Sequence, residues 1–496
     1  MQTITLAMSV DDIIGKVQDA VWGWPLIILI LAAGVWLTVR TGFVQVRHLG
    51  KALKFMVKNE DNGEGEVTSF GALCTALSAT IGTGNIVGVA TAICLGGPGA
   101  LLWMLLAAFF GMATKYSEGF LAIKYREKKD DSHYLGGPFY YIEKGMGSKW
   151  KWLAKLFAVF GICVGLFGIG TFTQINGIAT AVQDFFDPES AHVAFTLFGN
   201  DYTWATVIGG LVVTLCVALV VLGGIQRIAK VSQVIVPFMA ITYVVFALVI
   251  VLGHISAIPA AVKLICQSAF DPQAALGAAT GVTIKLAMQK GIGRGIFSNE
   301  AGLGSAPIAA AAAKTKDTVR QGLVTMTGTF IDTIVICTLT GLSIVVTGAQ
   351  NAFVAGSVEG VKITSRAWQT GLPWNGRFSA FVLMVCLAFF AFTTILGWNY
   401  YSERCLEYLV GSQKFTKVYR YLYILAVFIG PYLTVAAVWN IADICNGLMA
   451  FPNLIALFAL SGVVGKETRA YFAEKRHDLK ACLLYTSPSP RDTERS

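Results

Sequence analysis

Two stretches of this chain set glycine beside small hydroxyl and amide side chains within otherwise apolar sequence: Ser78-Ala-Thr-Ile-Gly-Thr-Gly-Asn85 and Gly291-Ile-Gly-Arg-Gly-Ile-Phe-Ser-Asn-Glu-Ala-Gly-Leu-Gly304. Glycine costs a helix interior up to about 1 kcal/mol relative to alanine. In hydrocarbon, the N–H and C=O groups that a break frees must also find partners, so breaks persist where they line a cavity or bind a ligand. A single glycine such as Gly111 or Gly168 more simply lets two helices approach. Clusters flanked by Thr, Asn and Ser fit that reading less well. The chemistry on offer is binding by backbone donors and acceptors. All five histidines, His48, His133, His192, His254 and His477, fall in loops or flanks, so neither a metalloprotease motif nor a histidine proton relay is present. No Walker motif and no TVGYG-like filter occurs, which leaves ATP-driven transport and a potassium-type channel unsupported.

Composition defines the elements that must position these stretches. The 496 residues are 55% hydrophobic and only 14% charged, with a mean hydropathy of +0.64, against about a quarter charged in soluble chains. A cytosolic enzyme, a disordered chain and a nucleic-acid reader are excluded. A bilayer core needs about 20 apolar helical residues, and eleven segments qualify: 22–39, 68–95, 100–124, 152–180, 203–223, 231–253, 276–312, 320–348, 376–402, 419–438 and 440–464. We expect a single all-α membrane domain over 1–480. The first span is full length and followed by basic residues, so it reads as a retained helix and not a cleaved signal. Of the ten Cys, Cys74, Cys94, Cys163, Cys216, Cys337 and Cys386 lie in apolar runs as small hydrophobes, with no metal spacing and no disulfide framework. Residues 481–496 differ in composition and read as a non-native, adapter-derived tail.

Lys and Arg orient the spans. They cluster after the first (Arg40, Arg47, Lys51, Lys54, Lys58), third (Arg126, Lys128, Lys129), fifth (Arg227, Lys230), seventh (Lys314, Lys316, Arg320), ninth (Arg404, Lys414, Lys417, Arg420) and eleventh spans, whereas 183–202 carries none. This alternation predicts an outside N-terminus and a cytoplasmic C-terminus in a cell (inner) membrane. It also accounts for the net charge of +9 without a nucleic-acid partner. The two glycine-rich stretches fall in the second and seventh spans, an odd number of crossings apart, so they run in opposite directions. Broken spans at matching positions of oppositely oriented halves point to an inverted-repeat secondary transporter with its site at the midplane. The halves share topology only, with no evident residue-by-residue identity.

Thr80-Ile-Gly-Thr-Gly-Asn-Ile-Val-Gly-Val-Ala90, Gly136-Gly-Pro-Phe-Tyr-Tyr-Ile142 and Phe297-Ser-Asn-Glu-Ala-Gly-Leu-Gly-Ser-Ala-Pro307 resemble the signatures of the alanine/glycine:cation symporters, of the amino acid–polyamine–organocation superfamily. The likeness runs through about residues 20–475. It implies the leucine-transporter-type 5+5 inverted repeat with an extra N-terminal helix and two broken helices, and sodium-coupled uptake of alanine or glycine, with proton coupling as the alternative. No enzymatic activity, cofactor beyond the coupling ion, or obligate protein partner is implied.

An amino acid zwitterion suits such breaks, its carboxylate at freed N–H groups and its ammonium at freed carbonyls. Thr80, Gly82, Thr83, Gly84 and Asn85 are the expected substrate group, with Gly293, Gly295 and Phe297 as the opposing wall and Trp398 beside it. Gln174 and Asn176 are amides in an apolar run, either bonded between helices or lining the pocket. By resemblance, the hydroxyls of Thr393 and Thr394 face the carbonyls of Ser78 and Ile81 as a sodium site; the other reading is back-bonding to their own helix. Ionisable groups within spans are functional candidates: Lys115, Glu118, Lys285, Lys290, Arg294, Glu300 and Asp332. Arg294 and Glu300 could reach cavity water or pair as a gate, and Asp332 is expected to pair with a neighbouring cation as a structural group.

Overall fold

The computed structural model describes residues 10–58, 60, 63–129, 133–197, 200–272, 282–352, 360–433 and 435–486. Among them eight helical segments are long and apolar enough to cross a membrane, and a ninth crossing is the pair Ser69–Thr80 and Gly84–Gly96, bent by 51°. The remaining two expected spans are the broken Ile284–Asn299/Ala306–Ala310 and the short Thr416–Ile429. The chain is a multi-pass membrane protein. Helices such as Trp204–Val221 and Gly224–Gly253 turn Ile208, Leu215, Leu219, Val234 and Ile241 outward, as a lipid-facing surface requires. The third span, Gly99–Tyr125, packs against both the seventh and the eighth and is buried along most of its length.

Side chains start these helices where freed N–H groups need acceptors. Thr68 accepts from Gly71 N, Thr203 from Thr206 N, Thr283 from Leu286 N, and Asp317 from Arg320 N. Among the described residues, three segments are π-helical: Gly84–Gly88 and Phe330–Cys337 within spans, and Tyr141–Gly145 in the connection between the third and fourth. The two within spans flank the candidate site.

The seventh span breaks later than the glycines suggest. Helix Ile284–Asn299 runs straight through Gly291, Gly293 and Gly295. A Cβ on Gly291 would stand 2.2 Å from the Ala100 carbonyl oxygen and one on Gly295 2.9 Å from Met104 Cγ, so these two glycines serve close packing on the third span. The chain leaves the helix at Glu300, which is left-handed (φ 56°), and passes through Gly302 (φ 91°) and Gly304 (φ 80°) before Ala306–Ala310. Further differences lie in elements too short or too amphipathic to register as spans. The fourth span is interrupted at 168–171 between Lys151–Phe167 and Phe172–Phe186, and helices Ile258–Phe270 and Gly360–Gly371 lie between spans. Residues 435–438 belong to the last helix, Val435–Thr486, not to the tenth span. Residues 276–281 of the seventh span and 487–496 of the tail lie outside the described residues.

Candidate functional site

The second span ends its first half at Thr80 and restarts at Gly84, which frees donors on one side of the gap and carbonyls on the other. Two side-chain amides hold the donors: Gly82 N–H donates to Asn85 Oδ1 at 2.9 Å and Thr83 N–H to Gln174 Oε1 at 3.1 Å. Gln174 is aimed by its own Nε2, which donates to the Ile169 carbonyl at 3.0 Å inside the fourth-span interruption. Across the gap, the Ile81 carbonyl accepts from Thr394 Oγ1 at 3.2 Å. The opposing surface is close. A Cβ on Gly84 would lie 3.0 Å from Ser298 Cα and 3.3 Å from Phe297 Cδ1. Gly82, Thr83, Gly84, Asn85, Gln174, Phe297, Ser298 and Thr394 are all buried, so the conformation is closed around them.

Asp332 ties the two broken helices together. Its carboxylate accepts from Asn85 Nδ2 at 2.7 Å, Ser298 Oγ at 2.9 Å and Thr333 Oγ1 at 2.7 Å. A structural role beside a cation was the expectation; its direct partners are neutral donors from the second, seventh and eighth spans. The seventh-span break has a carboxyl group of its own. Glu118 Oε1 accepts from Gly302 N–H and Gly304 N–H, both at 3.2 Å, and from Asn453 Nδ2 at 2.7 Å.

Several expected partners are placed elsewhere. Trp398 stands at the seventh-span break, its Nε1 donating to Glu300 Oε1 at 2.7 Å, and Glu300 also accepts from Ser305 Oγ. The suggested Arg294–Glu300 pair is not formed: Arg294 meets Asp443 at 3.1 Å and lies over the Phe297 ring at 5.6 Å. Gly293 has only Trp22 near its Cβ position, at 3.8 Å, and Gly295 faces Met104; of the expected wall, Phe297 alone meets the first break. Thr80 Oγ1 and Ser78 Oγ bond back to their own helix. Thr393 Oγ1 does the same, to Phe390 O at 3.0 Å, and its other contact is Met239 Sδ. Asn176 donates to Leu433 O at 3.1 Å, between helices. Ser298 and Thr333 were missed, although Ser298 sits in the quoted motif; nothing in the sequence marks Thr333 as a neighbour.

Comparison with known proteins places the chain and its fold. The sequence pattern described as the sodium:alanine symporter family matches residues 7–483. An "uncharacterized transporter" of Haemophilus influenzae is 53% identical over 94% of this chain and 97% of its own length. The "sodium/alanine symporter AgcS" of Methanococcus maripaludis is 45% identical over 95% of this chain and all of its own. Among solved structures, MhsT in complex with L-phenylalanine superposes with a TM-score of 0.55 at 11% identity, covering 82% of this chain and 99% of that one. The fold is thus the leucine-transporter type, with its breaks in the expected second and seventh spans. By sequence along nearly its whole length, and as a transporter and not an enzyme, the chain belongs to the sodium:alanine symporter family.

Proposed function

We propose that this chain imports alanine or glycine together with sodium by alternating access, in a cell (inner) membrane with its basic loops in the cytoplasm. The observation that carries this reading is the pair of buried N–H groups at Gly82 and Thr83, held by the neutral amide oxygens of Asn85 and Gln174. A substrate carboxylate offers two oxygens of stronger accepting power to the same donors, and the positive end of the half-helix favours its charge. The ammonium then lies toward the carbonyl end of Ile284–Asn299, whose polarity suits a cation. With Ser298 Cα only 3.0 Å from a Cβ position on Gly84, room remains for a small side chain. Phe297, backed by Arg294 and its Asp443 partner, closes the outer side.

For sodium, Ile81 O and Thr394 Oγ1 supply a pair of oxygens 3.2 Å apart, the hard donors such an ion takes. On this reading Thr394 and the Ile81 carbonyl hold the ion, and the Ser78 carbonyl joins them by resemblance to the family. The test is uptake of radiolabelled alanine into proteoliposomes under an imposed sodium gradient and, separately, an imposed proton gradient. Accumulation driven by sodium alone is expected. Accumulation driven only by protons overturns the ion, and none under either gradient overturns the substrate.

A further inference from the structure

On the face that carries the basic loops, the start of the second span and the end of the seventh are zipped together by their backbones. Glu66 N–H and Val67 N–H donate to Ala312 O at 2.8 and 3.1 Å, Lys314 N–H to Val67 O at 2.8 Å, and Thr315 N–H to Glu64 O at 3.2 Å. Arg126, just past the third span, clamps this zip by donating to the carbonyls of Ala311, Ala313, Glu64 and Thr315 at 2.6–2.9 Å. Beside the zip, Glu66 reaches the end of the ninth span through two groups. Arg404 meets Glu66 Oε2 at 3.2 Å and Glu407 Oε2 at 2.9 Å. His133, from the hairpin after the third span, lies between Glu66 at Nδ1 (3.2 Å) and Glu407 at Nε2 (3.0 Å).

The charges of this cluster are incomplete without a proton. Two carboxylates face one guanidinium, so a protonated His133 makes the group neutral, and only the imidazolium can donate to both carboxylates at once. Arg404 opposes this, its Nη1 lying 2.5 Å from Nε2 and 3.2 Å from Nδ1; a neutral His133 accepts from it instead. Tyr134 N–H and Gln413 Nε2 also donate to Glu66 and Glu407. The cluster opens on a cavity of about 1010 Å³ lined further by Glu127, Lys129, Glu143, Lys144, Lys151 and Lys314. Most of those charges are matched among themselves: Lys129 and Lys144 with Glu127, and Lys151 with Glu143. Burial and Arg404 work against protonation of His133, but Glu407 and Glu66 outweigh them and hold its pKa above the usual imidazole value.

We propose that His133 is a proton-operated latch on this face: protonated, it binds the Glu66 segment to the ninth span and keeps the face shut; deprotonated, it lets the zip part. This rests on the alternating-access reading above, because the Glu66 segment must move. The direction follows from linkage. A pKa raised in the shut state gives a stabilisation present in full below the open-state pKa and lost as pH rises through the shut-state value. Each pH unit between the two values changes the shut-to-open ratio about tenfold across the titration.

The experiment measures the distance between spin labels at Lys316→Cys and Lys414→Cys, both at exposed positions, with exposed Cys216 and Cys266 replaced by serine. The full chain sits in nanodiscs between pH 5.5 and 8.5. Longer distances should gain population as pH rises in the parent chain, and His133→Gln and His133→Asn should be insensitive to pH. Glu407→Gln, which keeps the ring, should move the midpoint to lower pH. A parent distribution constant across the range, or one whose pH response survives in both histidine variants, overturns the latch. Both faces share one pH in a nanodisc, so the readout does not depend on substrate, ion or orientation. A chain inert toward alanine whose distances still follow His133 would remove the substrate reading and keep the latch.

Discussion

Thr394 does both things open to a threonine in a membrane helix: its hydroxyl reaches Phe390 O on its own helix at 3.0 Å and Ile81 O across the gap at 3.2 Å. Thr393, one residue earlier, has only the first option among backbone acceptors. The two residues are therefore expected to behave differently. Thr394→Val keeps the shape and removes an oxygen, so the sodium concentration for half-maximal uptake should rise about five- to hundredfold, for a loss of about 1–3 kcal/mol. Thr393→Val should shift it far less. Apparent alanine affinity at fixed sodium should fall with Thr394→Val and recover as sodium is raised, because the two binding steps are reciprocally coupled. Equal sodium dependence in the parent and both variants would return these threonines to helix back-bonding. The glycines separate in the same manner. A methyl on Gly82 would stand 2.5 Å from Thr394 Oγ1 and 3.0 Å from Gln174 Oε1, whereas one on Gly293 meets nothing closer than 3.8 Å. Gly82→Ala should lose most uptake while still inserting, and Gly293→Ala should stay within about twofold; the reverse order would move the site to the seventh span.

At the scale of elements, the two breaks differ in what holds them. Neutral amides hold the second-span donors, whereas the carboxylate of Glu118 holds those of Gly302 and Gly304. The first arrangement suits exchange with a ligand, and the second suits permanence. Leaving two buried N–H groups without an acceptor costs about 1–3 kcal/mol each, so Glu118→Ala should lower the thermal unfolding temperature in detergent markedly. Glu118→Gln, which retains one acceptor oxygen, should recover part of it; identical melting of all three proteins would deny the carboxylate this role. The same contrast explains what the sequence made legible. Glycine, Thr and Asn at 78–85 mark a true break because the helix ends at Thr80 and restarts at Gly84, with the amide oxygens of Asn85 and Gln174 taking the freed N–H groups of Gly82 and Thr83. At 291–295 the same residue type answers a neighbouring helix, Ala100 and Met104 lying against it, and composition cannot tell a glycine that packs from one that bends. The break is set by Glu300, Gly302 and Gly304, within the quoted motif but not at its densest glycines. Contacts such as Arg404 with Glu66, 338 residues apart, leave no local trace at all.

For the whole molecule, the zip, the Arg126 clamp and the His133 cluster all lie on the face that carries the basic loops, which the proposed orientation turns to the cytoplasm. Orientation therefore decides which compartment's pH the latch would sense. The net charge of +9 resides mainly in those loops, as expected for segments that resist translocation. Lys230, exposed at the start of Gly224–Gly253, and His192, whose side chain is 79% exposed before the Val193–Leu197 strand, belong to opposite faces on this assignment. With Cys216 and Cys266 replaced by serine, a cysteine at 192 should react with a membrane-impermeant maleimide in intact cells. A cysteine at 230 should react only after permeabilisation. Labelling at 230 alone in intact cells would invert the molecule, placing the basic face and its histidine latch outside. Labelling at both positions would mean that the two loops share a face, which an odd number of crossings between them does not allow.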